Sequence, residues 1–225
     1  MTIHLLLDNA DPRIWHKYAN LGVFKGITTN PTLLKQAGQG SRIENLQSLA
    51  TQAEQLEYEE IHFQTFGETK SDLLIFARSI SELKKEKLEI KVKIPITING
   101  IHAAKALISE GISITFTACY EAKQVLIAAA VGATYIAPYM GRITDQGKDG
   151  LQEIIAMQNV LMGTGSSCKL LVASLRDIND IAILAKNGIK TFTLNDGIAN
   201  ELFHNSSTAE AAIMFDKDAK SIAHL

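Results

Sequence analysis

Two lysines stand two residues apart in the stretch Glu89 to Gly100, EIKVKIPITING, whose alternating β-branched residues read as a buried strand. A buried ammonium is costly unless it is paired or chemically employed. A lysine amine attacks a carbonyl only when neutral. Its ordinary pKa is about 10.4, so burial or a nearby cation must depress it. The protonated imine that follows withdraws electrons from the neighbouring carbon, which makes C–C cleavage or formation feasible at neutral pH. Such chemistry needs a base for a substrate hydroxyl and groups that hold a water. Asp8 supplies the base, and Gln64, Thr117 and Tyr139 supply the water-holding set. Arg142, Ser174 and Arg176 form a natural anion clamp, because guanidinium meets phosphate bidentately.

These residues are spread along the chain, so a fold must gather them. Gly22, Gly111, Gly132 and Gly188 each close a helical stretch and are followed at once by an apolar, β-branched run. A glycine just past a helix is the usual left-handed cap, and a strand directly after it marks an αβ loop. Eight strands are expected: Ile3–Asp8, Gly26–Asn30, Ile61–Phe66, Ile90–Pro95, Ile114–Cys119, Tyr135–Tyr139, Leu170–Ser174 and Thr191–Asn195. The intervening stretches carry helical periodicity, as from Asp177, read as an N-cap, through Ile178, Ile181, Ala182 and Ala185 to Gly188. Strands alternating with helices imply a parallel sheet. Eight such units in 225 residues imply one α/β domain over residues 1–225, a closed (β/α)8 TIM barrel with a C-terminal helix over Thr208–Leu225. An open doubly wound sheet is the alternative, but no G-x-G-x-x-G follows the first strand.

Side chains alternate along a strand, so each barrel strand turns one face to the helices and one to the axis. Ile90, Val92 and Ile94 form the outer face of the fourth strand; Lys91 and Lys93 therefore share the inner one. At the carboxyl ends the inward set is Asp8, Thr28, Asn30, Gln64, Lys93, Thr117, Tyr139, Ser174 and Thr193. Barrel interiors are usually filled with Val, Ile and Leu, and catalysis in this fold sits at the carboxyl-terminal mouth. Lys93 is thus the expected nucleophile. Lys91 lies a layer deeper, where an ion pair with Glu59 or Glu89 is expected, and His62 belongs to the floor. Asp8 alone would more often cap a helix than act as a base, and its place in the mouth shifts the odds. Thr28 and Thr29 are good β-formers in any case. Trp15 and Tyr120 read as packing residues.

Composition bounds the partners. Hydrophobic residues at 46 % with charged ones at 20 % are ordinary for a globular chain. The net charge of −2 gives no electrostatic case for nucleic acid or an anionic membrane. No apolar stretch approaches a membrane span, and a cytoplasmic location is expected. Cys119 and Cys168 are too few for a disulfide framework, and the scattered histidines suggest no catalytic metal. No cofactor is expected.

Four ordered segments carry a family resemblance. Gly26 to Leu34, GITTNPTLL, resembles the transaldolase signature, and Val92 to Pro95, VKIP, resembles the stretch around that family's Schiff-base lysine. Ala137 to Arg142, APYMGR, and Ala173 to Arg176, ASLR, are similar to its anion-binding strands. The whole chain resembles the short subfamily that includes fructose-6-phosphate aldolase and the small transaldolases. The resemblance implies class I aldol chemistry on a ketose phosphate through a dihydroxyacetone imine on Lys93. Asp8 would be the acid/base on the C4 hydroxyl, Asn30 would orient the three-carbon unit, and Arg142, Ser174 and Arg176 would hold the phosphate. Similar transferases generally carry Glu and Phe where this chain has Gln64 and Tyr139, so the pair implies an aldolase, with a transaldolase as the alternative. The chain departs from the family at Lys91, at LLLDNADP in the first strand and at Thr193 to Asp196. Those departures leave a sulfonate head group open beside phosphate. A barrel isomerase or decarboxylase without an imine, and a non-catalytic sugar-phosphate-binding barrel, are the readings from other classes. The resemblance implies a ring-shaped homo-oligomer, such as a decamer, packed through the C-terminal helix.

Overall fold

The computed structural model describes residues 3–83 and 85–223. Its first half runs β1 (His4–Asp8), α1 (Pro12–Ala19), β2 (Phe24–Thr28), α2 (Pro31–Gln36), α3 (Ile43–Gln55), β3 (Glu60–Gln64), α4 (Lys70–Ser81), β4 (Glu89–Pro95) and α5 (Ile98–Ser109). The second half runs β5 (Ile114–Cys119), α6 (Ala122–Val131), β6 (Tyr135–Pro138), α7 (Met140–Asp145), α8 (Gly150–Thr164), β7 (Lys169–Val172), α9 (Asn179–Lys186), β8 (Thr191–Leu194), α10 (Asp196–Glu201) and α11 (Ser206–Ile222). The eight strands pair in parallel in chain order, and β8 returns to β1, so the sheet closes into the expected barrel. Gly22, Gly111, Gly132 and Gly188 all adopt left-handed backbone, with φ between 63° and 85°. They turn each helix directly into the next strand.

Several strands end earlier than the sequence suggests. The chain leaves the ladder at Thr28, Gln64, Pro138, Val172 and Leu194, one to two residues before the expected ends. Asn30 and Asn195 cap α2 and α10 instead, and Tyr139 occupies the N-cap position of α7. The N-cap of α9 is Ile178; Asp177 bonds the Asn179 amide at 2.8 Å from just outside the helix. Asp11, not Asp8, caps α1. Of the expected C-terminal helix, His224 and Leu225 lie outside the described residues, and α11 buries none of its side chains.

The main core lies between sheet and helices, with Ile27, Ile61, Phe63, Val92, Ile94, Phe116 and Phe192 fully buried. Trp15 joins it and donates its indole N–H to the Asn9 carbonyl at 3.0 Å. Inside the barrel a separate apolar cluster, Leu6, Tyr135, Ala137 and Leu171, fills one side of the axis. The other side is polar. Glu60 sits 3.1 Å from His4, 3.3 Å from His62 and 3.2 Å from Lys91, and Lys91 also reaches Glu89 at 2.6 Å. Lys91 thus takes Glu89 as expected, but its second partner is Glu60. Glu59 faces out and pairs with Lys25 at 3.1 Å, because β3 begins at Glu60 and alternation turns Glu60, His62 and Gln64 inward together. Burial works to raise the Glu60 pKa, yet the hydrogen bond with His4, the nearby His62 ring and the charge of Lys91 hold it well below the carboxylate range. His62 is fully buried, with Nδ1 3.0 Å from the Thr115 hydroxyl, and burial pushes its pKa down. It is a neutral floor residue. No helix among the described residues is long and apolar enough to cross a membrane.

Candidate active site

A cleft of about 300 Å³ opens at the carboxyl-terminal mouth. It is lined by Asp8, Asn30, Lys93, Tyr139, Arg142, Ser174 and Arg176, with Ala173, Leu175 and Asn195. Larger hollows, about 590 Å³ beside α4 and α5 and about 510 Å³ at the floor, contain none of these mouth residues. The floor hollow does hold a buried lysine, Lys91, but its ammonium is tied to two carboxylates.

Lys93 lies at the bottom of the mouth cleft, 4 % exposed, and donates to the Thr29 carbonyl at 2.8 Å. Burial pushes its pKa down, while the negative charge of Asp8 works against that. Asp8 ends β1 half-buried. Burial pushes its carboxyl up, opposed by Lys93, by a hydrogen bond from Thr28 and by Arg142. The two groups are therefore shifted toward their neutral forms, an amine able to add to a carbonyl facing a carboxyl able to carry a proton. Thr28 fixes this carboxyl. Its hydroxyl donates to Asp8 Oδ1 at 2.7 Å and meets the Thr193 hydroxyl, also at 2.7 Å.

Across the mouth Tyr139 hydrogen-bonds the Thr117 hydroxyl. Its ring faces the Arg142 guanidinium, 4.7 Å from the centroid, and meets the Tyr120 ring edge-on at 5.7 Å. Tyr120 is thus more than distant packing, for it buttresses a cleft-lining ring. Arg176 bonds Asp145 at 2.8 Å and still lines the cleft. Ser174 adopts left-handed backbone, φ 60°, and its carbonyl accepts from the Gly141 amide at 2.9 Å. A Cβ at Gly141 would lie 2.3 Å from that carbonyl and 2.5 Å from Arg176 Nε, so only glycine lets the start of α7 and the chain after β7 approach this closely.

Seven of the ten residues expected from sequence line the cleft directly. Thr28 and Thr117 stand behind it as partners of Asp8 and Tyr139. Gln64 is half-buried on β3 in register with Lys93 but is not among the lining residues. Asn195 enters the cleft without having been expected there. It lies just past the end of β8, where alternation no longer says which way a side chain points. Among the described residues no group of three His, Cys, Asp or Glu is placed to hold a metal ion.

Comparison with known proteins follows the same line. Residues 5–224 match the family described as Transaldolase/Fructose-6-phosphate aldolase. A relative from Carboxydothermus hydrogenoformans named "Probable transaldolase" is 30% identical over 216 residues, 96% of this chain and 97% of its own length. Another with the same name, from Sorangium cellulosum, is 29% identical over 221 residues, 98% of this chain and 99% of its own. Among solved structures, a flavocytochrome b2 superposes with a TM-score of 0.59 at 13% identity, covering 87% of this chain and 56% of that one. A mandelate oxidase gives 0.57 at 12% identity, covering 86% and 64%. At such identity these two speak for the barrel alone.

Proposed function

Because the chain belongs to the transaldolase/fructose-6-phosphate aldolase family, enzymes of class I lysine Schiff-base chemistry, we propose that it makes and breaks the C3–C4 bond of a ketose phosphate such as fructose 6-phosphate. The observation that carries this reading is the buried Lys93 amine facing Asp8 in a cleft that ends in two arginines. Lys93 Nζ adds to the C2 carbonyl and water leaves, giving the iminium. Asp8 takes the C4 hydroxyl proton as the C3–C4 bond breaks, and the bonding pair moves into the iminium to form the enamine. The aldose phosphate departs, C3 is reprotonated, and water hydrolyses the imine to free dihydroxyacetone. Arg142, Ser174 and Arg176 hold the anionic end, and Asn30 orients the three-carbon unit. Gln64, Thr117 and Tyr139 hold the water.

Borohydride reduction in the presence of dihydroxyacetone should add one three-carbon unit, located at Lys93 by peptide mapping. Label at Lys91, or none with any ketose, refutes the reading. The transferase reading draws on the names of the relatives, both "Probable transaldolase", and on Gln64 standing outside the cleft lining. Under that reading the three-carbon unit passes to an aldose faster than water removes it. A product ratio measured with erythrose 4-phosphate present separates the two, and Tyr139→Phe should move the ratio toward transfer, since phenylalanine cannot hold the water.

A further inference from the structure

Asn195 and Asn30 share a constraint. Each caps a helix with its side-chain oxygen: Asn195 Oδ1 accepts from the Ile198 amide at 3.1 Å, and Asn30 Oδ1 from the Leu33 amide at 2.9 Å. An oxygen facing an N–H can only accept, so the other end of each amide is NH₂ and can only donate. Asn195 Nδ2 has no protein partner among the described residues, and the residue lines the cleft. It is a fixed donor facing the substrate space.

Its position around the barrel says what it faces. β8 lies between β7 and β1, so Asn195 stands between Ser174 and Arg176 on one side and Asp8 on the other. In the reaction proposed above, on which this inference rests, Asp8 meets the C4 oxygen and the clamp meets the anion on C6. The carbon between them is C5, and its hydroxyl oxygen is the acceptor nearest to Asn195. We propose that Asn195 is a specificity-determining residue that donates a hydrogen bond to the C5 hydroxyl of the ketose, which is the hydroxyl beside the aldehyde in the aldose phosphate. The enzyme then selects α-hydroxy aldehydes as acceptors, and 2-deoxy aldehydes are poor ones.

The test compares kcat/KM for condensation of dihydroxyacetone with glyceraldehyde 3-phosphate and with 3-oxopropyl phosphate, which lacks only that hydroxyl. The wild type should favour the hydroxylated acceptor. Asn195→Ser keeps a cap oxygen but is too short to donate, and the ratio should fall by about threefold to tenfold, the worth of one neutral hydrogen bond. Asn195→Gly removes the donor while leaving a residue tolerated at an N-cap; the ratio should fall in it too, and it decides the matter if the serine variant fails to fold. A general loss of packing would lower both acceptors together and leave the ratio unchanged, which overturns the assignment of Asn195. Absence of an imine on wild-type Lys93 overturns the reaction itself, and this inference with it.

Discussion

One layer of barrel separates Lys93 from Lys91, and that layer decides which amine can react. Lys91 is held by Glu60 and Glu89, so its charge is matched; Lys93 touches a carbonyl and is pushed toward neutrality by burial. Lys93→Met should therefore abolish trapping with dihydroxyacetone, while a folded Lys91→Met should still trap. The pH dependence follows with its sign. Asp8 raises the Lys93 pKa, so Asp8→Asn should lower it further and move the acid limb of imine formation to lower pH. Trapping rates across pH would check this, and a shift upward would contradict it. Alternation along the strands was enough to read Lys93, Asp8, Thr117 and the depth of Lys91 from sequence. Carried back from Gln64 and His62, the same alternation turns Glu60 inward; Glu59, an expected partner of Lys91, lies one residue before β3 on the opposite parity. Tyr120 and Asn195 lie past the last paired residues of their strands, where period-two reasoning carries no information.

At the scale of elements, the mouth is built from strand ends that turn into helix caps. The same β-branched and polar residues suit both, so the sequence shows five of the eight strands running on too far; hydrogen bonding, which it does not show, ends the ladder at Thr28 and Leu194. Existence, order and type of all eight strands were legible because Gly22, Gly111, Gly132 and Gly188 mark four of the seven helix-to-strand turns so plainly. The close approach of β7's exit to α7 was not legible, since it depends on a backbone contact between distant segments. That contact is tight enough to test. Gly141→Ala would drive a methyl into the Ser174 carbonyl and Arg176, costing roughly 1–3 kcal/mol of stability. It should also raise KM for phosphorylated substrates more than for free dihydroxyacetone, read by steady-state kinetics. Arg176→Ala should show the same selectivity without the stability loss, weakening phosphorylated substrates by about tenfold to a hundredfold.

In the whole molecule the two ends of the barrel do different work, with shifted titrations at the mouth and matched charges at the floor. Removing one partner of a buried pair leaves a charge behind, so Lys91→Met should cost roughly 3 kcal/mol, and Glu60→Leu added to it should recover part of that. Glu60 is ionised more readily folded than unfolded, so its contribution is present above about pH 4.5, its ordinary value, and is lost as pH falls. His62, held neutral, acts in the same direction below its usual 6.5. Melting temperature should thus drop on acidification, and Glu60→Gln should flatten the acid side of that curve. Beyond the barrel stands α11, with Ile213, Met214 and Phe215 more than half exposed and no residue buried. A lone helix of 17 residues is marginal in water. Its amide hydrogens should therefore exchange with deuterium within seconds in dilute protein while those of β4 and β5 stay protected. Slowing of that exchange as protein concentration rises, confined to α11, would identify the homo-oligomer that we propose forms through this helix.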